Sequence, residues 1–225
     1  MFDFSSMIYT VPALLIAITI HEYAHALTAD AMGDPTPRYL GRLTFNPLAH
    51  LDILGAIMLA LFHFGWAKPV PINPARMNHP RKGIIWTSLA GPLSNLLAAL
   101  VGVILMQIVF PFYHANPNAV LTGIYLLLYW FANINISLAV FNLIPVPPLD
   151  GSRILLAVLP ERIYFGMMKY ERVILIVLLA AVWGGFLDGP LSVMNNVVWD
   201  LLDNGTQYID TIAYSAYYAS TGTVI

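Results

Sequence analysis

The chain has 225 residues, of which 59% are hydrophobic and only 10% charged, against about 25% charged in soluble domains. Its net charge of −2 gives no case for nucleic-acid binding. With no cysteine, disulfides and thiolate metal sites are excluded, so any metal must be held by nitrogen and oxygen. From Gly83 to Leu149 there is no Asp, Glu, Lys or Arg at all. A membrane-crossing helix needs roughly 20 apolar residues, so that run has room for two crossings and predicts a polytopic membrane protein.

The first apolar stretch runs from Ile8 to about Met32 and carries His21, Glu22 and His25 in its second half. It has neither a basic leader nor a small-residue cleavage site before it, which favours a retained helix over a signal peptide. Gly33, Asp34, Pro35 and Pro37 end it. In residues 38–46 Tyr39, Leu43 and Phe45 alternate with Arg38, Arg42 and Thr44, a short strand pattern. The apolar segment 51–66 is short for a crossing and suits a re-entrant or interfacial helix equally well, with Asp52 capping its start. Residues 67–73 read as an extended edge strand, because Pro69 and Pro71 cannot donate to a sheet ladder.

The third stretch, 84–112, and the fourth, 119–143, occupy the charge-free run, and IPVPPLDG follows. Residues 173–187 predict a further crossing, and 191–202 a partial crossing or an interfacial helix. The Tyr-rich tail from Gly205 has no pattern that places it. Six Lys and Arg residues lie between the first and third stretches, four follow the fourth, and none lies between the third and fourth. The bias of positive charge towards cytoplasmic loops then puts residues 33–83 on the cytoplasmic side.

His21-Glu22-Tyr23-Ala24-His25 is an HExxH match. On a helix the two histidines share one face a turn apart, where they can bind one zinc, with Glu22 in reach of a water beside it. Ionisable groups inside an apolar helix cost several kcal/mol unless paired, and a dication is a sufficient partner. Catalytic zinc takes three protein ligands as a rule. Asp150, which ends the charge-free run after Pro145, Pro147 and Pro148, is the best third candidate, although an Asp before Gly151 also suits a turn.

HEYAH in an apolar helix, AGPLSN at residues 90–95 and NLIPVPPLDG at 142–151 together resemble the site-2 protease family of intramembrane zinc metalloproteases. The resemblance covers roughly residues 8–155. It implies one Zn2+ per chain on His21, His25 and Asp150, Glu22 as the catalytic base, and Asn142 and Asn95 holding the substrate or the oxyanion. Either asparagine also suits interhelical hydrogen bonding, as do Asn133 and Asn135, and Gly91 suits close helix packing. No inserted PDZ or CBS-like region is visible, which implies a minimal member.

The expectation is therefore an all-α polytopic protein. A three-helix catalytic core is joined by additional membrane helices and short re-entrant or edge β-strands. It forms one domain over 1–203 with a core of about 8–155, and the sequence does not place the tail 204–225. Its partners are the lipid bilayer and transmembrane protein substrates cut within or near the bilayer, in a prokaryotic plasma membrane with the active site towards the cytoplasm. The rival function is a membrane zinc transporter, which would need more carboxylate or His ligands on a second helix than the charge-free run offers.

Overall fold

A computed structural model describes residues 4–55, 58, 65–155 and 159–221. Their helices in chain order are α1 (Phe4–Ala31), α2 (Thr36–Tyr39), α3 (Pro80–Ala115), α4 (Ala119–Asn142), α5 (Asp150–Ile154), α6 (Glu161–Met168), α7 (Glu171–Trp183) and α8 (Asp188–Thr221). Three of them, α1, α3 and α4, are long and apolar enough to cross a membrane. The pair α7 and α8, bent by 82° at the break between them, makes a fourth if counted as one span. The all-α expectation holds.

Local chemistry sets the ends of the core helices. Gly33 takes φ +101° and closes α1, with the Asp34 amide donating to Ala29 O and the Gly33 amide to Asp30 O. This is the paired bonding of a left-handed helix cap, a conformation that costs glycine least. Pro80 opens α3, where its missing N–H is no loss. Asn118 caps α4, its side chain accepting from the amides of Val120 and Leu121. The helices α1, α3 and α4 pack on one another, and α8 lies against α3 and α4. Ala99, Ile136 and Val140 form a buried cluster there, covered by Leu191, Val198, Trp199 and Leu202.

Neither predicted strand forms. Residues 36–39 are helical, residues 47–49 make a 3-10 turn, and the one β contact among the described residues is an isolated antiparallel bridge between Leu51 and Ala67. The alternation was misleading because Arg42 turns inward and is only 5% exposed, while Tyr39 on the supposed inner face is 75% exposed. Arg42 donates to the carbonyls of Ala49, Lys68 and Pro69. Residues 67–73 are extended, as their prolines require, but beyond that single bridge their amides do not bond to a partner strand. Lys68 N donates to His50 O, Val70 N to Glu22 and Asn73 N to Asp34. Half of the segment 51–66 lies outside the described residues, and Asp52 caps its start by accepting from Gly55 N. No break falls at residue 203, since α8 runs on through the Tyr-rich tail to Thr221.

Asp34 is fully buried, and it accepts from Asn73 N and from the amide and hydroxyl of Thr36. Burial would raise its pKa, but these hydrogen bonds outweigh burial and hold the carboxyl below its ordinary value. A depressed carboxyl stabilises the fold fully above its unfolded pKa of about 3.9, and that contribution fades as pH falls through the folded value. Protection of the Val70, Ile72 and Asn73 amides, taken relative to their intrinsic exchange rates, should therefore be high at pH 6 and fall below about pH 4 in advance of that of the helical core. Equal loss of protection in core and segment would remove Asp34 as the anchor.

Candidate metal centre

His21 and His25 project from one face of α1, and Asp150 opens α5 just beyond the prolines that end α4. The sequence separates them by more than a hundred residues, yet the fold brings the three together. Asp150 Oδ2 lies 3.1 Å from Nε2 of each histidine, and the two Nε2 atoms are 2.9 Å apart. The imidazoles and the carboxylate are largely enclosed, with side chains 8–13% exposed. The carboxylate's placement depends on Gly151. A Cβ there would fall 2.3 Å from Leu143 O and 2.5 Å from Ile144 O, so only glycine lets α5 back this closely onto the end of α4.

The tautomers of the two histidines can be worked out from their other ring nitrogens. His21 Nδ1 is 2.6 Å from Asn95 Oδ1, and His25 Nδ1 is 2.6 Å from the Thr87 carbonyl. The amide of Asn95 is oriented by its Nδ2, which donates to Ala17 O and Asn135 Oδ1, so its oxygen must face His21. Both Nδ1 atoms therefore donate, and in the neutral imidazoles both Nε2 atoms carry lone pairs. Two imidazole nitrogens and a carboxylate oxygen then converge, and a positive charge between them, a proton or a metal cation, is what relieves their repulsion.

The geometry fits zinc. Tetrahedral bonds of 2.0–2.1 Å separate ligands by about 3.3 Å, a few tenths more than the contacts here. Among the described residues these three are the group that could hold a metal ion. Gly91 completes the cradle, because a Cβ there would lie 2.5 Å from His25 Nε2 and 2.6 Å from His21 Nε2. Hydrogen-bonded partners of metal-binding histidines typically contribute 10–100-fold to metal affinity. Asn95→Ala should therefore weaken zinc binding by about that factor in a chelator competition, and an unchanged affinity would show that Asn95 does not orient His21.

Glu22 is buried, and its Oε2 accepts from Val70 N at 3.0 Å. Asn95 is fully buried with both amide protons taken inside the bundle. Asn142 Nδ2 donates to Leu138 O of its own helix, and no bond joins it to the three donors. Asn135 joins helices as expected, through Asn95. Sequence reasoning did not find Thr87, which acts through its backbone carbonyl, or Val70, which acts through its amide. Backbone groups carry no residue signature.

Fold and donor set define a helical metalloprotein with spans apolar enough for a bilayer. The profile described as peptidase family M50 matches residues 106–184. YwhC of Bacillus subtilis (strain 168), named as a candidate zinc metalloprotease, is 34% identical over 211 residues, 92% of each chain. The zinc metalloprotease MJ0392 of Methanocaldococcus jannaschii is 36% identical over 160 residues, 71% of this chain and 36% of its own. Rip2 of Mycolicibacterium smegmatis, also named as a candidate zinc metalloprotease, is 31% identical over 150 residues, 64% of this chain and 54% of its own. No solved structure gives a significant match. The chain belongs to peptidase family M50, the site-2 protease family. A peptidase family gives the transporter reading no support.

Proposed function

We propose that this protein is an intramembrane zinc endopeptidase, with His21, His25 and Asp150 as the zinc ligands and Glu22 as general base, cutting membrane-anchored proteins within or beside the bilayer. The observation that carries the proposal is the convergence of three donor atoms, 2.9–3.1 Å apart, two of them on a helix apolar enough to span a membrane and the third just beyond the end of another. When bound, zinc supplies a Lewis acid that activates water near neutral pH and polarises a peptide carbonyl.

The chain's own groups do the rest. Asn95 and the Thr87 carbonyl keep each Nδ1 protonated and each Nε2 free to coordinate. Val70 N–H holds one oxygen of Glu22, which leaves the other to accept a proton from water as the water oxygen attacks the carbonyl carbon. The same carboxyl then passes that proton to the amine nitrogen as the C–N bond breaks. Asn142, at the end of α4, would rotate its amide off Leu138 O to donate to the developing oxyanion, a contact of the kind worth about 3–4 kcal/mol. The charge bias of the loops supports a multi-pass protein with this site towards the cytoplasm.

The test uses zinc-loaded protein in proteoliposomes with a labelled single-span substrate. Mass spectrometry of the products should place the cut within the substrate's apolar segment or at its cytoplasmic edge. Zinc movement across the liposome without cleavage would overturn the reading.

A further inference from the structure

A cavity of about 640 Å³ lies between α3, α4 and α8. Its inner end, at Ile136, adjoins Asn135 and so the hydrogen-bonded neighbours of His21, and its outer end lies far from the metal donors. Gln107, in its wall, is 16 residues beyond Gly91 on α3 (107 − 91), roughly 24 Å along a helix. The cavity is of ligand size, and several times larger than a bare ion requires.

Its chemistry is one-sided. Asp203 and Asp210 line it, and among the described residues no Lys, Arg or His does. Nor could a Lys or Arg arrive from nearby along the chain. There is none from Gly83 through Leu149 and none from Asp188 to the end, the segments that supply every wall. Gln107 is only 4% exposed and gives its Nε2 protons to Asp203. Three buried acceptors of the lining then have no hydrogen-bond partner: Gln107 Oε1, Asn195 Oδ1 and Asp210 Oδ1. Native interiors leave few such atoms, and three around one cavity with two carboxylates ask for a positively charged donor. Four aromatic side chains, Phe110, Tyr125, Tyr129 and Trp199, share the wall with small polar and aliphatic groups. Aromatic faces beside carboxylates favour organic cations over hydrated metal ions.

We propose that this cavity binds an organic ammonium group, enclosed by Trp199 and the tyrosines and neutralised by Asp203 and Asp210. The ammonium comes either from a soluble amine or from a phospholipid headgroup.

The probe is choline, compared with its neutral isostere 3,3-dimethyl-1-butanol, by titration calorimetry on zinc-loaded full-length protein in phosphatidylglycerol nanodiscs. Choline should bind saturably and at least about 10-fold more tightly than the isostere. Asp203→Asn and Asp210→Asn should each weaken choline by a further 10-fold or more, with zinc content and cleavage unchanged. Trp199→Leu tests the aromatic wall independently of charge and should also weaken it. Nanodiscs of phosphatidylethanolamine identify the source, since loss of choline binding there marks the lipid headgroup and equal binding marks a soluble amine. The site is refuted if choline fails to saturate in phosphatidylglycerol, if the isostere matches it, or if both aspartate variants bind like wild type.

Discussion

Glu22→Gln should abolish cleavage while leaving the metal in place. Removing a positioned general base costs about 10²–10⁴ in rate. Glu22 is not one of the three converging donors, so zinc content should stay at one per chain. The substitution is also structurally quiet. The glutamine oxygen can still accept from Val70 N–H, so the segment that reaches Glu22 keeps its anchor. Zinc stoichiometry and initial cleavage rate, measured on the same preparation, separate chemistry from binding. A Gln variant that cuts at the native rate would remove Glu22 from the mechanism, whatever the metal content.

Gly91→Ala should be nearly as damaging, by an opposite route. Alanine is favoured over glycine in a helix interior by about 1 kcal/mol, so propensity alone predicts a stabler α3. The added Cβ, however, would lie 2.5 Å from His25 Nε2 and 2.6 Å from His21 Cε1 and Nε2. No carbon tolerates such contacts, and α1 and α3 are packed too closely to part locally. Both imidazoles must shift, and a displacement of about 1 Å at a reacting centre can cost 10²-fold. The expected result is unchanged helical circular dichroism, weakened zinc binding and a cleavage rate down by about 10²-fold or more. Full activity in this variant would mean that the imidazoles have room the structure does not show.

The chemistry of the site was legible in the sequence where it rests on side chains with few other uses. Two histidines and a glutamate on one turn of an apolar helix demand a counter-charge, and Asp150 was the acid that closed the charge-free run. The spans α3 and α4 were legible for the same reason, because 67 residues without a formal charge (83 to 149) have few other solutions. Residues 38–46 were misread because alternation measures hydrophobicity, and Arg42 is buried for its five donors rather than for apolarity. Residues 67–73 are extended as expected, yet they are held by the side chains of Arg42, Glu22 and Asp34 instead of by a sheet. Those anchors are distant in sequence, so no local pattern announces them. The length of α8 was hidden by its four aspartates, at 188, 200, 203 and 210, which lower its apolarity without breaking the helix.

The proposed chemistry depends most on the meeting of His21, His25 and Asp150 around one ion. Zinc-edge X-ray absorption on the purified protein tests this most directly. The predicted result is one zinc per chain with two imidazole nitrogens and a carboxylate oxygen at about 2.0–2.1 Å. In Asp150→Ala the carboxylate contribution should vanish and zinc affinity should fall steeply. A spectrum identical in wild type and Asp150→Ala, at equal zinc content, would contradict the account.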